Sequence, residues 1–376
     1  MLKVMTVVGT RPELIRLSRV IARLDATVDH VLVHTGQNYD YTLNEVFFSD
    51  LGIRKPDHYL GVDTSSLGAV LGGVLVETEK VIEAERPDAL LVLGDTNSCI
   101  AAVIGKRMRV PVYHMEAGNR CFDENVPEET NRRLVDHVAD FNLCYTEHAR
   151  RNLLGEGLHP RRILVTGSPM REVLEAYRAQ IDASDVLERL GLQPRDYFLV
   201  SAHREENVDS PERLTALLEC LDAARKRFGK TIFVSTHPRT RKRLELLPGW
   251  TAPEGIVFHD PLGFHDYNKL QLEAACVLSD SGTIAEESTL LGFPAVTLRD
   301  SIERPEALDT GGIMMSGLDA EDIVSAVDVV TAEEERRGGL SDRVPDDYRI
   351  ANTSERAVRF ILSTARRHHQ WSGIRR

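Results

Sequence analysis

The chain has 376 residues, above the ~250–300 at which a single hydrophobic core stops growing, so its length predicts two domains of similar size. Hydrophobic residues make up 42% of the sequence, an ordinary share for a globular protein. The formal net charge is −12, from 46 basic and 58 acidic residues. This excess of acid argues against nucleic acid as the main partner, and an anionic ligand would need a local basic pocket.

Cysteine usage and the apolar runs exclude further classes of protein. The five cysteines are scattered and form no CxxC pair, which favours buried reduced thiols over a zinc site or a disulfide framework. The N-terminal run MLKVMTVVGTRPE is interrupted by Arg-Pro-Glu where a signal peptide would continue. No run approaches the ~18 apolar residues of a membrane span, so we expect a cytoplasmic protein with no membrane partner.

Short apolar runs alternate with amphipathic segments along the whole chain. The first half contains LKVMTVV, HVLVHT, DALLVLG, VPVYHM and FNLCYT, and the second contains YFLVSA, TIFVST, GIVFHD, ACVLSD and FPAVTL. This alternation predicts an α/β fold of two Rossmann-like, doubly wound parallel sheets with about five strands each, facing a cleft. Such sheets bind ligands beyond the carboxyl ends of their strands, so the residues that follow each run are the candidates for a site.

The best candidate linker lies between the two sets of runs. There a further strand, ILVT, ends in Gly167-Ser168-Pro169 and a polar helical stretch follows. We predict an N-terminal domain over residues 1–167, a C-terminal domain over residues 168–354, and a terminal segment over residues 355–376. This segment is predicted to be a helix that ends in a frayed basic tail, RRHHQWSGIRR, from residue 366 onward. The terminal helix is a candidate to pack back on the N-terminal domain.

The first two candidate loops follow LKVMTVV and DALLVLG. In GTRPE, a turn glycine, a proline near a helix start and the exposed Arg11 suit an anion such as phosphate, although a plain strand-to-helix turn fits equally well. The chain contains no GxGxxG motif, so a tightly held NAD is not supported. Asp95 ends its strand and either caps the next helix or belongs to the site.

The third loop is the stretch HMEAGNRCFDENVPEETNR, which follows VPVYHM. It crowds several charged residues just past a buried strand, namely Glu116, Arg120, Glu128, Glu129 and Arg132. Several carboxylates at a strand end favour shifted pKa values, and therefore a functional site, over a solvated loop.

In the second half, His203 follows YFLVSA beside an arginine, a position that favours function over a structural role. His237 follows TIFVST, and Pro261 and Phe264 follow GIVFHD; these three line a nucleotide pocket or belong to ordinary loops. The segment ACVLSDSGTIAEES leads from a strand into a helix through Ser281 and Gly282.

The start of that helix is suited to a diphosphate, because its free amides and dipole attract an anion. Glu287, about one turn further on, is placed to accept hydrogen bonds from ribose hydroxyls. Helix capping alone is the alternative. Arg304, in ERPEA after FPAVTL, adds a cation at the same predicted edge.

The motifs GTRPE, TGQ, GDTNS, HMEAGNR, PEETNR, HREEN, SDSGTIAEES and ERPEA occur in this order, and with them the sequence resembles the non-hydrolysing UDP-N-acetylglucosamine 2-epimerases. The resemblance covers nearly the whole chain. It implies a glycosyltransferase-B-like fold, interconversion of UDP-GlcNAc and UDP-ManNAc without NAD or metal, and a homodimer. The wording of several motifs is closest to the branch that forms UDP-N-acetyl-L-fucosamine, with Glu205 where UDP-GlcNAc enzymes often have a second arginine.

The resemblance also implies residue roles. Asp95, Glu116 and Glu128 match the catalytic carboxylates, and His203 matches the histidine near the departing diphosphate. The expected UDP-sugar contacts are Arg11, Arg132 and Arg304 for the substrate and Ser281, Gly282 and Glu287 for diphosphate and ribose. Some members carry an allosteric site at a TGQHREM motif, whereas this chain reads TGQNYD over residues 35–40, so that regulation is not expected.

The implied chemistry explains why three carboxylates are needed. The hydrogen at C2 of the sugar is not next to a carbonyl, so UDP is eliminated across C1 and C2 and then added back with the proton on the other face. This route requires a base, an acid and stabilisation of the leaving diphosphate. We expect crowding of the acids to raise at least one pKa.

Three alternatives differ in substrate or class. A 2-epimerase of a 6-deoxy UDP-HexNAc, UDP-2-acetamido-2,6-dideoxy-L-talose, keeps the reaction and changes the sugar. A glycosyltransferase on the same fold would need one base and an acceptor. A nucleotide-sugar sensor would bind without forming product.

Overall fold

The alternating runs of the sequence form two parallel sheets in the computed structural model, which describes residues 1–36, 47–247, 249–337 and 343–374. The chain divides into two units, Met1–Ala176 with Asp347–Arg376 and Tyr177–Asp346. Every strand pair in both sheets is parallel, which confirms the predicted α/β class with two doubly wound sheets.

The first unit contains a seven-stranded sheet in the order β3-β2-β1-β4-β5-β6-β7. Its strands are β1 (Lys3–Val8), β2 (Asp29–His34), β3 (His58–Tyr59), β4 (Ala89–Leu93), β5 (Val112–Met115), β6 (Phe141–Cys144) and β7 (Ile163–Val165). Its helices are α1 (Arg11–Thr27), α2 (Leu67–Glu85), α3 (Ala101–Arg107), α4 (Glu128–Val138), α5 (Glu147–Gly155) and α6 (Met170–Ala176), and, from the end of the chain, α16 (Thr353–Thr364) and α17 (His368–Trp371).

The second unit contains a six-stranded sheet in the order β10-β9-β8-β11-β12-β13. Its strands are β8 (Tyr197–Ser201), β9 (Thr231–Ser235), β10 (Ile256–His259), β11 (Cys276–Ser279), β12 (Ala295–Thr297) and β13 (Met314–Met315). Its helices are α7 (Arg178–Asp182), α8 (Val186–Leu190), α9 (Glu205–Val208), α10 (Pro211–Phe228), α11 (Pro238–Glu245), α12 (Phe264–Glu273), α13 (Ile284–Leu291), α14 (Glu306–Asp309) and α15 (Ala320–Arg337).

The central strands are apolar along their whole length because helices cover both faces of a parallel sheet. All five residues of β4 are buried, and residues such as Val7 and Val92 form one core of the first unit. In the second unit, Val200 and Leu278 belong to the corresponding core. These cores fix the strand ends from which the candidate loops emerge.

The end of the chain packs on the first unit. Thr353 at the start of α16 donates to the carbonyl oxygens of Thr166 and Ser168, each at 3.1 Å. Further along α16, the ring of Phe360 contacts Phe141 edge-on at 5.2 Å. The units therefore divide after Ala176 and Asp346, not at the predicted residues 167 and 354.

The predicted frayed tail is wrong over residues 366–371. These residues form a short 3₁₀ turn and helix α17. The side chain of His368 is buried, with its Nε2 atom 3.0 Å from the Asp140 carboxylate. Arg375 and Arg376 lie outside the described residues.

Gly167 lies where the returning segment presses on the end of β7. Its φ is +84°, and an added Cβ would lie 2.5 Å from Cβ of Ile350. We therefore expect Gly167→Ala to reduce the free energy of unfolding by about 2–4 kcal/mol, from backbone strain and overpacking together. Gly157→Ala is the matched control, since Gly157 has φ +86° and open space around it. Thermal unfolding of both variants isolates the clash, and equal melting temperatures would contradict this assignment.

All five cysteines are buried and free, as predicted. No helix in the described ranges combines the length and apolar sequence needed to cross a bilayer.

Candidate functional site

Buried Glu13 joins two loops at the carboxyl edge of the first sheet. Strands β1 and β4 are neighbours where the strand order reverses, which is the usual ligand position in open α/β sheets. One oxygen of Glu13 accepts from the N–H groups of Gly9 and Thr10 at 2.8 and 2.7 Å, and the other accepts from the hydroxyls of Thr96 and Ser98. Burial raises the pKa of Glu13 although these donors oppose the rise. Its role is to fix the loops after β1 and β4 together.

Those two loops carry Arg11 and Asp95. The guanidinium of Arg11 lies 5.4 Å from the centre of the Phe47 ring. The Asp95 carboxylate accepts a 2.8 Å hydrogen bond from Nε of Arg132, which is 2% exposed. Glu128 begins α4 four residues before Arg132 and therefore lies on the same face of that helix. The structure thus brings Asp95, Arg132 and the start of α4 together.

Glu116 lies beside the same strand end. A Cβ built on Gly94, the residue before Asp95, would lie 3.8 Å from Oε2 of Glu116. The Glu116 carboxylate forms an ion pair with Arg16, and its side chain is 4% exposed. Its φ of +66° is a left-handed conformation that is rare for residues with a side chain and that clusters at functional sites.

Arg16 is a site residue that the sequence analysis missed. We considered only residues directly after each strand, whereas Arg16 lies inside α1, three residues after Glu13 and therefore near it on the helix surface. That spacing was the available signal. Asp95 and Glu116 each face an arginine, so both carboxylates have a cationic partner at this edge of the sheet.

Glu129 supports the Arg132 side chain. It is 4% exposed and accepts hydrogen bonds from the Cys121 N–H at 3.2 Å and from Arg132 at 3.0 Å. Burial disfavours its charge, but these hydrogen bonds outweigh burial and hold the pKa of Glu129 below its usual value. Glu129 is thus a buried support of the site and not a solvated neighbour.

A buried polar network lies beneath the Glu116 loop. Asp136 accepts from Arg120 at 2.7 Å and lies 2.8 Å from Nδ1 of His114. Arg120 also binds the Glu156 carboxylate with two hydrogen bonds of 2.8 and 2.7 Å, and Nε2 of His114 lies 2.7 Å from the Gly94 carbonyl. Arg120 is therefore a structural cation that stabilises the loops after β4 and β5.

A buried carboxylate has the same function in the second unit. Asp280 accepts from the backbone N–H groups of His203 and Arg204, at 3.0 Å each, and from the Asn207 side chain at 3.2 Å. These contacts join the ends of β8 and β11, the neighbouring strands where this sheet reverses its order. The imidazole of His203 is 36% exposed and its ring lies 5.4 Å from that of His237.

Arginines surround the Gly282 turn at the start of α13. Arg304 donates to the Gly282 carbonyl oxygen and, at 3.1 Å, to Glu286. Arg204 lies 3.3 Å from Glu303. A Cβ on Gly282 would lie 2.6 Å from Oε1 of Glu303 and 3.0 Å from the Arg204 guanidinium, so only glycine fits this turn without displacement. Arg204 and Glu303 were not among the predicted site residues.

The other predicted contacts of the second unit lie at the same sheet edge. The hydroxyl of Ser281 is 3.0 Å from that of Thr283, and Glu287 accepts a 2.6 Å hydrogen bond from Gln271. Pro261 is partly buried after β10.

Phe264 starts α12, and its ring is 4% exposed and lies 5.7 Å from the Tyr177 ring. This ring belongs to the core, so a contact of Phe264 with UDP would have to use its backbone.

The predicted residues thus form one set at the carboxyl edge of each sheet. The first set is Arg11, Asp95, Glu116, Glu128 and Arg132, and the second is His203, His237, Pro261, Phe264, Ser281, Gly282, Glu287 and Arg304. The TGQNYD segment, compared above with an allosteric motif, lies from residue 37 onward outside the described residues.

Comparison with known proteins gives a consistent result. Residues 22–362 match the family model described as UDP-N-acetylglucosamine 2-epimerase. The structure of UDP-N-acetylglucosamine 2-epimerase from Rickettsia bellii is similar, with a TM-score of 0.90, 45% identity and 98% of each chain covered.

A Methanocaldococcus jannaschii UDP-GlcNAc 2-epimerase, solved with UDP-GlcNAc and UDP, has a TM-score of 0.89 and 33% identity, over 96% of this chain and all of that one. A UDP-2,3-diacetamido-2,3-dideoxy-D-glucuronate 2-epimerase from Pseudomonas aeruginosa is 34% identical over 93% of this chain and 95% of its own length.

Proposed function

Because the chain belongs to the UDP-N-acetylglucosamine 2-epimerase family, we propose that it is an isomerase that interconverts UDP-GlcNAc and UDP-ManNAc. The observation that carries this proposal is the pair of carboxylates at neighbouring strand ends. Asp95 and Glu116 follow β4 and β5, and each is oriented by an arginine, Arg132 and Arg16 respectively. Two oriented carboxyl groups beside a strand-end crevice suit a reaction that takes a proton from a carbon and returns one.

The reaction conserves every atom of the substrate. A carboxylate removes the C2 proton while the bond from C1 to the β-phosphate oxygen breaks, which leaves UDP and a 2-acetamidoglucal-type alkene. The UDP oxygen then adds back to C1, and a second carboxyl group delivers a proton to the opposite face of C2. No net oxidation occurs, so no NAD is needed. We assign the proton transfers to Asp95, Glu116 and Glu128.

The second set of residues is suited to holding the leaving UDP. His203 is partly exposed after β8, the strand that pairs with β11, and β11 leads into the Gly282 turn. Arg304 is fixed at that turn by Glu286. We assign the diphosphate to Ser281, Gly282, His203 and Arg304, because backbone amides, imidazole N–H groups and guanidinium groups stabilise developing phosphate charge. We assign the ribose to Glu287, and substrate contacts to Arg11 and Arg132.

Incubation of the purified chain with UDP-GlcNAc alone tests the function. We expect NMR to detect UDP-ManNAc without any acceptor. UDP binding without product would instead indicate a sensor, and consumption of UDP-GlcNAc only on adding an acceptor would indicate a glycosyltransferase.

In D₂O, the product must carry deuterium at C2, since the abstracted proton exchanges with solvent. Full retention of the original hydrogen would contradict elimination.

The second candidate substrate is the 6-deoxy UDP-HexNAc, UDP-2-acetamido-2,6-dideoxy-L-talose. Glu205, at the start of α9, favours this substrate, because many UDP-GlcNAc enzymes have arginine at this position. The Glu205 carboxylate forms a 2.7 Å ion pair with Arg239. The Pseudomonas relative is named for a further sugar, so substrates within the family differ. The ratio of kcat/KM for the two sugars decides between the candidates.

We also propose a homodimer, as the family resemblance implies, and a cytoplasmic location, as the sequence analysis predicts. Light scattering would then give twice the 42.1 kDa mass of one chain.

A further inference from the structure

A large polar cavity lies in the first unit at the amino edge of its sheet, opposite the strand ends that carry the carboxylates. It is open to solvent, and its volume is about 490 Å³. It is formed by residues before β6 and β7 and by α17 at the end of the chain, and its basic and aromatic lining is His137, His159, Arg161, Arg162, His368 and Trp371. Nothing in the proposed reaction uses this cavity.

The two acids of the cavity already have cationic partners. Asp140 accepts from Lys106 and lies 3.0 Å from Nε2 of His368. Glu156 accepts two hydrogen bonds from Arg120, through Nε and Nη2, and Nε2 of His137 lies 3.0 Å from it. The acids therefore do not neutralise the remaining cations of the cavity.

Those remaining cations lie on one turn of the chain. Within residues 1–36, 47–247, 249–337 and 343–374, neither Arg161 nor Arg162 forms an ion pair with a carboxylate. Nδ1 of His159 accepts from the Arg161 N–H at 3.1 Å, which leaves Nε2 of the neutral ring as an N–H donor. The Arg161 guanidinium lies 4.2 Å from the centre of the Trp371 ring, which holds it as one wall of the cavity.

We propose that this cavity is a second ligand site, which binds a small organic molecule through a phosphate group. Two guanidinium groups and an imidazole N–H supply directional donors that match phosphate oxygens. The volume lies within the range of about 300–1,000 Å³ typical of small-molecule sites, so phosphate alone would fill only part of it. The ligand is therefore a phosphomonoester, with its organic part along the Trp371 side of the cavity.

The fluorescence of Trp371, which lines the cavity, reports ligand binding there directly. The chain has two tryptophans, so Trp250→Phe leaves Trp371 as the only indole. In this background, emission is titrated with sodium phosphate and with glycerol 3-phosphate, against sodium chloride at matched ionic strength. We expect a saturable change with both phosphates, a lower half-saturating concentration for glycerol 3-phosphate, and no saturation with chloride. A rise in melting temperature at saturating ligand that is lost in Arg162→Gln gives a second readout, because a ligand that binds the folded state stabilises it and this variant leaves the diphosphate contacts assigned to the second unit unchanged.

Arg162→Gln and Arg151→Gln separate this site from general charge effects. Arg151 lies exposed on α5, outside the cavity, and carries the same charge. We expect Arg162→Gln to raise the half-saturating concentration at least tenfold and Arg151→Gln to change it less than twofold. Equal effects of the two variants, or neither a fluorescence change nor a melting shift, would overturn the proposal. The outcome does not depend on epimerase activity, since both readouts report binding.

Discussion

Glu116→Gln lowers kcat for 2-epimerisation about 1,000-fold, which corresponds to about 4 kcal/mol of lost transition-state stabilisation. An amide cannot take or deliver a proton, yet it retains the carbonyl oxygen that accepts from Arg16. The buried Arg16–Glu116 contact therefore persists as a hydrogen bond, and the fold is kept. KM changes little, because the UDP contacts that we assign to the second unit are untouched. Steady-state kinetics with UDP-GlcNAc gives both constants.

Glu124→Gln is the matched control for this variant. It makes the same change of charge in the same loop, on an exposed side chain eight residues later. We expect its kcat to stay within twofold of the parent value. Glu116 would lose its assigned role if both variants had similar activity, or if Glu116→Gln raised KM with kcat unchanged.

The fold could be predicted from the sequence because the central strands are continuous apolar runs. The runs DALLVLG and ACVLSD became β4 and β11, which lie next to the switch point of each sheet. The edge strands β3 and β13 were missed, since each has only two residues and no apolar run marks them. Helix α16 was predicted from residue 355 and begins two residues earlier, at Thr353, but nothing local indicated that His368 would bind Asp140 and order the tail.

The site was harder to predict because its order depends on contacts between distant residues. The rule that ligands bind after parallel strands identified the loops of Asp95 and Glu116. It could not identify Arg16, which contacts Glu116 although it lies 100 positions earlier in the chain. Nor could it show that Glu13 and Asp280 are buried anchors, since capping carboxylates and loop anchors have the same sequence signal.

Gly282→Ala is expected to weaken UDP binding by tenfold or more, about 1.4 kcal/mol at least, and to lower kcat/KM about 100-fold. The added methyl would lie 2.6 Å from Oε1 of Glu303, a side chain that is 3% exposed and bound by Arg299. Glu303 therefore cannot swing into solvent. The turn must move instead, and it carries with it the carbonyl to which Arg304 donates. Calorimetric titration with UDP measures the loss.

Two further variants test whether the clash with Glu303 causes the loss of UDP affinity. Gly155→Ala adds a methyl at the end of α5, where nothing lies within 4 Å, and should leave the Kd for UDP unchanged within twofold. The double change Gly282→Ala with Glu303→Asp withdraws the opposing carboxylate by one methylene group and should restore part of the UDP affinity. A general folding defect would not be relieved in this way, because Glu303→Asp adds no contact of its own. Unchanged UDP affinity in Gly282→Ala would mean that the diphosphate does not depend on this turn, and the assignment of Gly282 would fall.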